Sequence, residues 1–92
     1  MPVLNFHKAA DPTAHENFMR WCAENPDGRF IHFGPRGAML HRVGCPHLSN
    51  WNREEWGDLT DNRKLCSDDE QELLEHHRHE VGNPPDKCSG CL

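Results

Sequence analysis

Apolar positions in this chain come in short patches separated by long polar runs, and the patches change period along the sequence. Between residues 11 and 25, Ala14, Phe18, Trp21 and Cys22 recur on one face of a helix. Asp11-Pro12 supplies an N-cap residue and a proline for the first turn, and Asn25-Pro26-Asp27-Gly28 supplies the stop. Cys22 lies on the apolar face and reads as a small buried hydrophobe rather than a ligand. Residues 1–10 have no period and read as a loose arm, with Phe6 docking on the body.

The pattern then turns to strands. Arg29-Phe30-Ile31-His32-Phe33 is aromatic and β-branched, Gly34-Pro35-Arg36-Gly37 is a turn, and residues 38–43 form the returning strand of a hairpin. Residues 48–62 carry Trp51 and Trp56 among polar neighbours, either as a short capped helix or as an irregular loop. The tryptophans either roof a small core or form an exposed recognition loop. Residues 63–66 read as a third strand. Ser67 and Glu70 form a capping box for a helix through Leu73, Leu74 and His77 towards Val81, closed by Gly82-Asn83-Pro84-Pro85. The expected fold is α+β: an N-terminal helix, a roughly three-stranded antiparallel sheet and a C-terminal acidic helix, with residues 11–92 as one domain.

Composition makes that fold demanding. Only 35% of the 92 residues are hydrophobic, 27% are charged, and Tyr is absent, so a staple is needed to stabilise so small a core. Five cysteines leave one over in a pure disulfide framework. No segment reads as a signal peptide or membrane span, so the expected setting is a reducing cytoplasm, where Cys with His favours metal. Two pairs have ligand spacing: His41-x-x-x-Cys45 at the end of the hairpin and Cys88-x-x-Cys91 near the C-terminus. Together they offer the four nitrogen and thiolate donors of a tetrahedral structural Zn2+ site. Spacing also allows Cys66 in place of His41, or His47 through Cys45-Pro46-His47. The His76-His77-Arg78-His79 tract is a weaker candidate, because adjacent helix positions point in different directions.

His41-Arg42-Val43-Gly44-Cys45-Pro46, a strand ending at Cys66, a helix, and Cys88-Ser89-Gly90-Cys91 resemble the zinc-binding domain of the bacterial Ada-type DNA-repair methyltransferases. The resemblance covers roughly residues 38–92. It implies His41, Cys45, Cys88 and Cys91 as ligands, with Cys66 a strand residue. In that family the first knuckle cysteine also accepts a methyl group from damaged DNA phosphate. Here His41 stands in its place, and an imidazole whose lone pair is committed to metal is no methyl acceptor, so repair chemistry is not expected.

Net charge is −5, yet its distribution is uneven. Residues 28–66 hold six basic residues against four acidic ones, whereas residues 67–80 hold six acids against Arg78 alone. The expected function is a non-catalytic, zinc-stabilised module binding double-stranded DNA, in particular modified or methylated DNA. Its expected contacts are Arg36, Arg42, Trp51, Arg53, Trp56, Arg63 and Lys64. A metal-dependent nuclease is not expected, because the metal site reads as closed. The alternative is a protein-interaction module using the tryptophan loop or the acidic helix. The two differ in one respect: DNA binding needs the arginines on one face, opposite the acidic helix.

Overall fold

The computed structural model describes residues 3–35 and 37–91, and it places an α+β fold around a five-stranded mixed sheet. Strand β1 (Leu4–Phe6) precedes helix α1 (Ala14–Glu24), then the hairpin β2 (Arg29–Gly34) and β3 (Gly37–Arg42). Two single-turn helices follow, α2 (Pro46–Ser49) and α3 (Arg53–Trp56), and a 3-10 turn at Leu59–Asp61 leads into β4 (Lys64–Ser67). Helix α4 (Glu70–Val81) and a two-residue strand β5 (Asp86–Lys87) follow. The strand order is β1-β4-β2-β3-β5, antiparallel throughout except for β5 beside β3.

Alternation along the strands divides the core in two. Phe30 pairs with His41 and Cys66, and His32 with Met39 and Lys64, so these side chains share one face of the sheet. Phe30 and Cys66 pack there against Phe18, Trp21 and Cys22 of α1 and against Leu48 and Leu59. Ile31, Leu40 and Leu65 face the other way and bury Leu73 of α4. The helical face read from the sequence is the one that packs: Ala14, Phe18, Trp21 and Cys22 are all buried. Gly28 lets α1 lie this close, since a Cβ at that position would sit 2.7 Å from the Trp21 ring.

Several boundaries differ from the expectation. The arm is not loose: β1 pairs with β4 in the register Leu4↔Cys66 to Phe6↔Lys64, and β5 adds a further strand. Both additions are short edges held by backbone pairing, which leaves no hydrophobic period to read. Helix α1 starts two residues beyond Pro12. The Asp11 carboxylate caps a preceding turn instead, accepting from the Thr13 amide at 2.9 Å and hydroxyl at 2.7 Å. At α4 the N-cap is Asp69, whose carboxylate accepts from the Gln71 and Glu72 amides. Ser67 ends the buried strand β4 and accepts from the Asp69 amide at 3.0 Å. The C-terminus of α4 follows expectation, with Gly82 in the left-handed region at φ 96°.

His77 is the misfit in the second core. It is 1% exposed, its ring lies 5.7 Å from that of Phe33, and neither ring nitrogen makes a hydrogen bond of normal geometry. Burial holds its pKa below the ordinary histidine range, helped by Arg63 and His76 and opposed by the Asn83 backbone and Glu80. The unfolded chain therefore binds more protons below about pH 6.5. This contribution to stability is present above that pH and lost as pH falls through it. His77→Leu removes the unsatisfied nitrogens and is expected to stabilise the fold by about 1 kcal/mol. That corresponds to a Tm gain of roughly 4–8 °C. Melts at pH 7.5 and 5.5 should show the gain larger at the lower pH; a Tm loss at pH 7.5 would contradict this account.

Candidate metal centre

Four side chains from two distant stretches meet at one end of β3. His41 is the penultimate residue of that strand, and its ring stacks on Phe30 at 5.1 Å and 22°. The chain bends at Val43-Gly44, and Cys45 takes the N-cap position of α2 in an extended conformation, with Pro46 opening the helix. From the other direction, β5 runs parallel to β3 and delivers Cys88, whose amide donates to the Leu40 carbonyl at 3.0 Å. A turn then closes with the Cys91 amide donating to the Cys88 carbonyl at 3.4 Å.

The donor atoms of His41, Cys45, Cys88 and Cys91 all lie within 4.8 Å of one another. His41 Nδ1 is 3.6 Å from Cys45 Sγ and 3.9 Å from Cys91 Sγ, and Cys45 Sγ is 4.0 Å from Cys88 Sγ. Zinc–sulfur and zinc–nitrogen bonds of about 2.3 and 2.0–2.1 Å at tetrahedral angles separate donors by about 3.5–3.8 Å. The cluster is therefore at ligand spacing, and it can hold a metal ion with little movement. It is not a disulfide: all five cysteines are free, and 4.0 Å is about twice a sulfur–sulfur bond. His41, Cys45 and Cys88 are buried, and Cys91 is half-buried.

The protein supports thiolate at the exposed corner. Burial works to raise the Cys91 pKa, yet the Arg42 backbone amide, the neighbouring thiols and the Arg42 guanidinium outweigh it and bring it below the ordinary thiol range. Cys22 and Cys66 have the opposite environment. They lie in the apolar cluster of the first core, where burial pushes Cys22 up to about 12 and raises Cys66 as well. The choice that spacing left open between Cys66 and His41 is thereby made: Cys66 packs and His41 joins the cluster. The side chain of the other competitor, His47, lies outside the described residues.

The basic residues expected to touch DNA do not form one surface. Arg36 lies outside the described residues. Arg42 is exposed beside Cys91. Arg53 is held by Asp58 at 2.6 Å and Glu16 at 2.9 Å. Arg63 pairs with Glu80 of the acidic helix, donates to Asn5 at 2.8 Å and covers the Phe33 ring. Lys64 is 2% exposed, so it is no surface contact. An arginine face opposite α4 is thus absent among the described residues, because Arg53 and Arg63 are spent on carboxylates and Arg63 sits against α4 itself.

What the sequence did not reveal is a pocket of about 370 Å3 beside the metal cluster. Its sheet side is Phe30, His32, Met39, His41 and Lys64, the part of that face α1 leaves open. Its other side comes from the irregular segment: Leu48, Trp51, Trp56 and Leu59. Trp51 is anchored by its Nε1–H donating to the Gly57 carbonyl at 2.8 Å. Trp56 stands edge-on to it at 5.5 Å and is 55% exposed. Lys64 Nζ lies 2.7 Å from His32 Nδ1 and donates to the Asn62 carbonyl at 3.2 Å. Burial is the main reason the Lys64 pKa falls to about 8 and that of His32 to about 4. The signal was available in the strand alternation, which puts His32 and Lys64 on one face.

No family model, characterised protein or solved structure matches the chain. Among the described residues, no helix is long and apolar enough to cross a membrane.

Proposed function

We propose that this protein is a zinc-stabilised, non-catalytic recognition module that reads DNA through one tryptophan-walled pocket rather than through a charged face. The observation that carries this reading is the pocket itself, lined by the exposed Trp56 and by His41 of the candidate metal cluster. Zinc is the metal of this proposal because one nitrogen and three sulfurs at tetrahedral spacing are its usual structural donor set. The Ada-type resemblance and a cytoplasmic setting belong to the same proposal, since thiolate ligation needs reduced cysteines. An indole stacks on any base, and a single pocket suits a reader of a modified or methylated base.

Few cations are left for phosphates, so salt dependence should be shallow for a DNA binder, with a slope equivalent to roughly one or two phosphate contacts. The test is a gel-shift titration of zinc-loaded protein on matched duplexes, unmodified and cytosine-methylated, at two salt concentrations. The expected result is a shift tighter on one duplex and weakened about tenfold or more by Trp56→Ala. No shift on either duplex at low salt would overturn DNA binding. The pairing of Arg53 and Arg63 with carboxylates and the net charge of −5 favour a second reading, a module whose tryptophan pocket binds a protein partner.

A further inference from the structure

The floor of the pocket holds a buried cation with no carboxylate in contact with it, Asp61 acting on it only from a distance. Among the described residues none of the pocket lining is acidic, and no carboxylate lies within ion-pair distance of Lys64. An ammonium has three protons to donate. Those of Lys64 meet His32 Nδ1 and the Asn62 carbonyl, two neutral acceptors, and among the described residues no third acceptor meets this group, which is 2% exposed. Placing a charge there is costly unless an oxygen completes its shell. The walls around it are aromatic: Phe30 and His41 on the sheet side, Trp51 and Trp56 opposite.

We propose that the pocket is a binding site for one planar ring carrying an acceptor oxygen, the ring lying against Trp51 and Trp56 and the oxygen taken by Lys64. This deepens the reading of the pocket as the recognition element and rests on it. Aromatic walls by themselves also attract cations, as in cages for alkylated ammonium groups. Here the Lys64 charge and the lack of an acid repel a cationic guest and select a neutral acceptor or an anion. The chemistry has two sources, the keto edge of a nucleobase and a free aromatic carboxylate, and they are separable by experiment.

The experiment uses the zinc-loaded chain, uniformly labelled with nitrogen-15, and three probes: thymidine, 2-naphthoate and tryptamine. The chain has three tryptophans, so its spectrum has three indole N–H signals. Those of Trp51 and Trp56 report the pocket, while Trp21 sits in the first core outside it and serves as the internal control. The expected result is that thymidine, 2-naphthoate or both move the Trp51 and Trp56 signals and leave Trp21 in place, with tryptamine binding at least tenfold more weakly. Thymidine alone would identify the base edge as the source, and 2-naphthoate alone a free aromatic acid. Lys64→Met should weaken the acceptor probes tenfold or more, and so should Trp56→Ala at a position 55% exposed. Tryptamine binding as well as the acceptor probes, or no movement with either of them, would overturn the proposal. The comparison of probe charge on the unaltered protein decides the matter even if Lys64→Met fails to fold. Probe binding without any duplex shift would remove the DNA reading alone, and a Trp56-dependent duplex shift without probe binding would remove this inference alone.

Discussion

Cys88→Ala, or chelation of the loaded protein, is expected to unfold most of the domain. Cys88 is 2% exposed, and its amide continues the pairing of β5 with β3, so the candidate metal site and the sheet edge form one structure. Cys45 and Cys88 lie 43 residues apart in sequence and are brought within 4.0 Å. A structural zinc site contributes on the order of 10 kcal/mol in small metal-dependent folds. The whole stability of a domain this size is about 5–15 kcal/mol. Losing one ligand leaves a three-donor site and three thiolate or imidazole groups in a low-dielectric corner, so the loss is of the same order as the total. Circular dichroism melts of wild type, Cys88→Ala and Cys66→Ala with and without chelator provide the check. Cys66→Ala, which trims a core side chain outside the cluster, should keep a chelator-sensitive transition. A Tm for Cys88→Ala within a few degrees of wild type would show that the cluster does not stabilise the fold.

Phe30→Ala is expected to be the most damaging substitution outside the His/Cys cluster. Its ring is 4% exposed, meets Phe18 edge-on at 5.3 Å, and carries the His41 imidazole stacked on it. Truncating a buried phenylalanine costs about 3–5 kcal/mol through lost transfer energy and the cavity left behind. Here a second effect follows, because the His41 ring loses the surface that fixes its orientation toward the three sulfurs. Two measurements separate the effects: urea unfolding of the loaded protein, and metal competition against a chromophoric chelator. Stability should fall by the amount given, and metal affinity should fall with it by about tenfold or more, as when groups supporting a metal ligand are removed. Unchanged metal affinity would confine Phe30 to packing.

Both expectations meet at the pocket, since Phe30 and His41 line it. The His/Cys cluster, first core and pocket are thus joined through one stacked pair of rings. Loss of the metal should disturb the Trp51 and Trp56 environment before it disturbs the second core around Leu73, which lies on the opposite face of the sheet. His32 sits at the same junction, 6.3 Å from His41 and within hydrogen-bond distance of Lys64.

The local pattern determined much of this architecture. The spacing of Phe18, Trp21 and Cys22 gave a helix and its buried face, the aromatic run at Phe30 to Phe33 gave the hairpin, and Gly82 gave the end of α4. These features rest on short-range physics: apolar periodicity, turn chemistry and capping act within a few residues. The sequence also carried the four donors that meet, because thiolate and imidazole pairs at short spacing can share an ion. Tertiary structure decided the rest. It brought His41 rather than Cys66 to the other three donors: both flank Phe30 on the same sheet face, but His41 lies among the sulfurs of Cys45, Cys88 and Cys91, while Cys66 packs with Cys22 in the apolar core. Strand registers turned Lys64 from a surface cation into the buried floor of a pocket. Ion pairs with Glu16, Asp58 and Glu80, contributed by segments from 5 to 37 residues away, removed Arg53 and Arg63 from any common basic face. The edge strands β1 and β5 came from backbone hydrogen bonds to neighbours that no side-chain pattern encodes. Each of these depends on which distant segments meet, and the meeting is set by the summed packing of the whole chain rather than by any local run of residues.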